Sequence, residues 1–170
     1  MTNVNENAKE EIVTENTALS TQVRETENYV ILKDEKGKFV RKAKFHDYSS
    51  IVPVTRDEQI WMLGLLEGDE ETGNGLKDHV GKQIEVANIM LRKYDKINEE
   101  TGQTEYGVLT YLITPDKIAY VTSSKSVYFT ITRIMELFGK PDDELWQNIK
   151  IKVGKKKAEK GDQITIKMVG

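Results

Sequence analysis

The chain has no cysteine among its 170 residues, only three prolines, and two histidines, His46 and His79. Without thiols there are no disulfides and no thiolate metal sites, which suits a reducing cytoplasm. The two isolated histidines offer no zinc-ligand spacing. No apolar run is long enough to cross a bilayer. The opening MTNVNENAKEEIVTENTALS lacks the basic start and apolar stretch of a secretion signal. No Walker motif, G-x-G-x-x-G or Ser/His/Asp set is present. The residues therefore give no support to an enzyme, a cofactor or a small-molecule substrate, and they predict a protein of the cytoplasm without a membrane segment.

What the chain does have is unevenly placed charge. Its formal net charge is −3, yet residues 1–28 hold six glutamates against Lys9 and Arg24, and residues 148–170 hold seven lysines against Glu159 and Asp162. A ligand meets the local field rather than the total. Residues 1–28 are polar, acidic and free of aromatics, and read as a disordered tail with little apolar surface to offset ordering entropy; a short helix over Ile12–Val23 is the alternative. Residues 29–54 read as a hairpin and connector: Tyr29-Val-Ile-Leu32 and Lys38-Phe-Val-Arg41 flank the polar turn Asp34-Glu-Lys-Gly37. Residues 55–170 read as the main domain.

Thr55-Arg-Asp-Glu58 is a capping box, predicting a helix to Glu67 that Gly68 ends. Ile60, Leu63 and Leu66 share one of its faces, with Trp61 and Leu65 beside it. The loop carrying Asp69, Glu70 and Glu71 has no calcium-loop spacing and reads as solvated. Three strands are predicted over Ile84–Arg92, Glu105–Ile113 and Ile118–Thr122. A long polar loop, Tyr94–Gln103, joins the first two, and the tight turn Thr114-Pro-Asp-Lys117 the last two. Ser123 or Ser124 then caps a helix with Val127, Ile131, Ile134, Met135 and Phe138 on one face, stopped by Gly139 and Pro141. Finally Ile149, Ile151 and Val153 alternate with Lys150 and Lys152, and after a lysine loop Ile164, Ile166 and Met168 alternate with Thr165 and Lys167. Strands with a helix between the third and fourth give the plan of the OB-fold, a five-stranded, partly open barrel. The fold class is thus mainly β with helices, plus an N-terminal helix and hairpin.

Two sets of residues carry chemistry. Lys155, Lys156, Lys157 and Lys160 fall in the loop between the last two strands, which in an OB-fold borders a nucleic-acid groove. Lys150 and Lys152 extend that positive surface, and ammonium groups there would release counterions from a polyanion. The second set is aromatic. On the second strand Leu109, Tyr111 and Ile113 alternate inward, turning Tyr106 and Thr110 outward. On the third, Ala119 and Val121 look inward, turning Tyr120 outward. Tyr94 lies at the mouth of the long loop, next to Arg92 and Lys93. Exposed rings beside cations suit sequence-tolerant binding of single strands. The blander readings are a solvated hairpin tip and tyrosines that pack the core. Trp61 and Trp146 read as structural.

In its order and local wording, the segment from Thr55 to Gly170 resembles the small single-stranded DNA-binding proteins of protein-primed tailed phages. The resemblance rests on Gly73-Asn-Gly75, Gly81-Lys-Gln-Ile-Glu-Val86, the strand ending Thr-Pro-Asp116, Tyr120, Ser124-Lys125 and Ile149-Lys-Ile-Lys-Val153 followed by a Lys/Gly hairpin loop. It implies an OB-fold that coats displaced strands during replication. It also implies aromatic and basic contacts at Tyr94, Tyr106, Tyr120, Lys125 and the terminal lysines. The first 54 residues are extra by comparison and read as a region for self-association. A module that binds another replication protein through the same fold, with no nucleic-acid contact, is the rival reading.

Overall fold

The computed structural model describes residues 21–25, 29–69, 72–102 and 104–170. The helix expected over Ile12–Val23, most of the acidic tail, and Glu70 and Glu71 lie wholly or partly outside these. The chain divides into two compact units: one holds the described residues up to Phe45 together with Asp95–Tyr106, the other His46–Tyr94 and Gly107–Gly170.

The first unit contains a three-stranded antiparallel sheet in the order β1 (Thr21–Glu25), β2 (Tyr29–Lys33), β3 (Phe39–Ala43). The predicted hairpin forms as β2 and β3. Its turn is set by Asp34, whose Oδ1 accepts the Lys36 and Lys38 amides at 3.0 and 2.8 Å, and by Gly37 at φ 74°, a left-handed conformation that costs glycine little. Strand β1 corrects the expectation for residues 21–25, which pair with β2 through a register shift between Gln22 and Arg24 instead of continuing a tail. Arg41 lies 4.2 Å over the Tyr29 ring, and Lys44 pairs with Glu25.

The second unit is built on two sheets. Helix α1 (Arg56–Glu67) begins at the predicted capping box: the Thr55 hydroxyl accepts the Glu58 amide, and Glu58 accepts the Thr55 and Val54 amides. Lys117 reaches the same carboxylate at 3.3 Å. Together these donors, the Val54 and Thr55 amides foremost, pull Glu58 down to about 2. The helix packs by Trp61, Met62 and Leu65, whereas Ile60 and Leu63 are exposed. Because α1 is apolar nearly all round, its periodicity did not single out the packed face.

After α1 come the short strand β5 (Gly73–Gly75) and a 3-10 turn, Leu76–His79; β4 (Tyr48–Ser49) precedes the helix. Strands β6 (Gln83–Val86) and β7 (Asn88–Ile97) follow each other with only Ala87 between them. The run Gln83–Ile97 therefore serves both sheets. β6 pairs with β10 (Ile149–Ala158), which pairs with β11 (Gly161–Val169). β7 belongs to the sheet ordered β4-β7-β8-β9-β5, with β8 (Thr104–Ile113) and β9 (Ala119–Thr122). Neither sheet closes on itself, and β9 and β11 fall in different sheets. Among the described residues the fold is mainly β with two α-helices.

Three strands run further than periodicity predicted or are buried on both faces. β7 reaches Ile97, so the long loop shrinks to a turn in which Asn98 Oδ1 accepts the Glu100 and Thr101 amides. β10 runs to Ala158, so Lys155, Lys156 and Lys157 are strand residues and the turn is only 158–161. Along β8, Val108, Thr110 and Leu112 on one parity and Tyr111 and Ile113 on the other are all buried. Thr110, expected outward, is enclosed, and its hydroxyl has no hydrogen-bond partner among the described residues. Helix α2 (Lys125–Phe138) is capped by Ser124 and lies against β11. It buries Val127, Ile131, Ile134 and Met135, but Phe138 at its last turn is exposed.

Candidate nucleic-acid interface

A cleft of about 820 Å³ opens in the second unit between the end of α1, β5, the outer parts of β8 and β9, and the tip of the β10–β11 hairpin. Its floor is apolar: Leu109, Tyr111 and Val121. The glycines of Gly73-Asn-Gly75 allow its wall to form. A Cβ on Gly73 would sit 3.2 Å from both Leu65 Cδ1 and Val121 Cγ2, so a side chain there would push α1 and β9 apart. Ser124 fixes the far wall by donating from Oγ to the Ile164 carbonyl at 2.6 Å. Lys77 and Lys160 reach this cleft, but so do Glu67, Asp69 and Asp162. Its chemistry is apolar with mixed charge.

The predicted site residues separate into groups. Tyr106 is 52 % exposed, as its parity predicted; it belongs to the first unit. Tyr94, in the second unit, is half-buried within β7, not at a loop mouth. Its ring occupies the space a side chain on Gly107 would take, Cζ lying 2.4 Å from the ideal Cβ position. Arg92 and Lys93 are exposed, and the Lys93 amide donates to Asp47. Arg92 tempers the upward shift that burial gives the Tyr111 hydroxyl.

Tyr120 corrects its expectation. It is 3 % exposed, because the turn Leu76–His79 covers the face that alternation left open. His79 meets its ring edge-on at 5.0 Å, and Lys82 Nζ donates to its hydroxyl at 2.7 Å. Tyr120 thus offers no open ring face.

The lysines of the final hairpin alternate between its two faces. Ile149, Ile151 and Val153 are buried on the inner face, and Lys155 and Lys157 continue that parity. Lys150, Lys152 and Lys156 take the outer one. Lys155 is held by Asp162 at 3.1 Å, while Lys160 sits in the turn and Lys125 is exposed at the start of α2. The register puts Lys167 directly opposite Lys152. Sequence reading missed Lys167 and Lys77 as candidate contacts. Lys167 becomes visible only when two alternating strands are paired in a known register.

A family model for phage single-stranded DNA-binding proteins matches residues 43–168. The chain belongs to that family. The single-stranded DNA-binding protein of Bacillus phage GA-1 is 37 % identical over 158 residues, which is 92 % of each chain. No solved structure matches. Membership makes this a single-stranded DNA-binding protein rather than an enzyme. The matched segment includes β7, the cleft and nearly all of the lysine-bearing hairpin.

Proposed function

We propose that the chain coats single strands displaced during phage DNA replication in the host cytoplasm, with little sequence preference. The observation that carries this reading is family membership across the segment bearing the cations. Bases stack on Tyr106 and on the accessible part of Tyr94. Phosphates meet Arg92, Lys93, Lys125 and the hairpin lysines Lys150, Lys152, Lys155, Lys156, Lys157 and Lys160. Stacking accepts any base because every base has a π-face, and cations track the backbone. Tyr120, enclosed and bonded to Lys82, does not stack. The continuous run Gln83–Ile97, shared by two sheets, supports a partly open OB-type barrel. The first unit's sheet supports self-association: among the described residues β3 is an edge strand, bearing Phe39, 62 % exposed, and Val40, and strand edges template pairing with another chain.

Titration with oligo-dT over a salt series tests the reading. Tyrosine and tryptophan fluorescence is quenched and affinity falls as salt rises. A flat titration at low salt overturns DNA contact in favour of a protein-interaction module.

A further inference from the structure

The main cleft is poorly suited to phosphate, since its two lysines face three carboxylates. The outer face of the β11-β10-β6 sheet is different. There the register sets Lys150 between Val169 and Glu85, Lys152 between Lys167 and Gln83, Gly154 beside Thr165, and Lys156 beside Gln163. Four lysines thus share one surface with a single carboxylate, Glu85, whose Oε1 already accepts from Asn148. Among the described residues Lys152, Lys156 and Lys167 form no ion pair. Like charges directly across a sheet are destabilising, so the Lys152–Lys167 pair carries a cost that a polyanion would reverse.

Gly154 leaves room between these cations. A hollow of about 170 Å³ lies there, lined by Lys152, Val153, Gly154, Thr165, Ile166 and Lys167. A Cβ on Gly154 would sit 2.9 Å from Thr165 Oγ1, so any other residue would crowd the one hydroxyl at the site. Two ammonium groups and a hydroxyl around a small hollow match the needs of a phosphodiester: opposite charge, donors and space. We propose that the Gly154 hollow is a phosphodiester-binding site, on the sheet face opposite the buried Ile151 and Val153, that grips the DNA backbone without touching bases. This rests on the reading of the chain as a coat for single strands, and it adds a backbone contact outside the apolar cleft.

The test compares the unmodified chain with K152Q/K167Q, with G154A, and with K36Q/K38Q, which removes equal charge from the β2–β3 turn. The ligand is a long oligo-dT, titrated across a salt series. Two lost phosphate contacts reduce the slope of log affinity against log salt by about 1.4 for single strands, so the affinity lost between about 50 and 200 mM salt shrinks about sevenfold. K152Q/K167Q shows that reduction and melts no lower than the unmodified chain, because a like-charge pair is gone. K36Q/K38Q keeps the original slope. G154A keeps every charge and binds several-fold more weakly. A K152Q/K167Q slope equal to that of the unmodified chain or to that of K36Q/K38Q overturns the site, and full affinity in G154A overturns the hollow. Absence of binding by the unmodified chain would instead overturn the DNA-coating reading itself.

Discussion

The ring of Tyr94 stands where Gly107 has no side chain: an ideal Cβ on Gly107 would fall 2.4 Å from Tyr94 Cζ and 2.5 Å from its hydroxyl oxygen. An aromatic ring covering a strand glycine compensates for the packing that glycine lacks. Gly107→Ala must therefore displace the ring, and overpacking of this kind costs about 1–3 kcal/mol. Urea denaturation should show that loss, and Tyr94→Ala combined with Gly107→Ala should recover part of it. Simple additivity of the two substitutions would mean the residues are not coupled.

Tyr106 and Tyr120 should part company. Tyr106→Ala removes an exposed ring and should weaken oligo-dT binding by about 1–3 kcal/mol with little change in melting temperature. Tyr120→Phe removes the hydroxyl that Lys82 binds and should cost about 1 kcal/mol of stability while leaving oligo-dT affinity intact. The reverse pattern would put the stacking platform at Tyr120.

Acid should act through the cap of α1. The Glu58 carboxyl lies below its ordinary value of 4.5, at about 2, chiefly because it accepts the Val54 and Thr55 amides. A depressed carboxyl contributes stability that is complete above pH 4.5 and drains away as pH falls towards 2. Melting curves of the unmodified chain and Glu58→Gln should differ above pH 4.5 and converge towards pH 2. Parallel curves throughout would show that Glu58 is not responsible.

The same cap offers a pH-independent check. Thr55→Ala leaves the Glu58 amide without its side-chain acceptor and should cost about 1 kcal/mol at neutral pH, with Thr55→Ser close to neutral. Equal losses from both would point to the methyl group instead of the hydroxyl.

These contrasts show where sequence was informative. Local chemistry was legible: the capping box at Thr55 and Glu58, the Asp34–Gly37 turn and a serine cap at 123 or 124 follow from side chains acting on nearby backbone, and the alternation of Ile149, Ile151 and Val153 from the burial of one strand face. Alternation failed where both faces of a strand are covered, as at Thr110 and Tyr120. Over Tyr120 the covering element, Leu76–His79, is remote in sequence and carries no periodic signal. Strand length was underread for a related reason. Polar residues such as Asp95-Lys96 and Lys155-Lys156-Lys157 look like loops, yet they extend hairpins whose bases are held by apolar residues. The lysines were visible as a cluster, but their division between two faces depended on register. Tyr106 and the outer-face cations were within reach of period-two reasoning; Lys167 needed its partner strand.

The uninterrupted run from Gln83 to Ile97 has a mechanical consequence. One length of backbone is stitched to β10 at its start and to β8 further on, with the Ala87 amide bonded to the Ile113 carbonyl at the crossing. Peeling either sheet loosens the seam that holds the other, so the protected amides of both should exchange with solvent together in one cooperative opening. A strand of DNA clamped on the hairpin would thereby slow exchange along Val108–Ile113 of β8, where no base or phosphate contact is proposed.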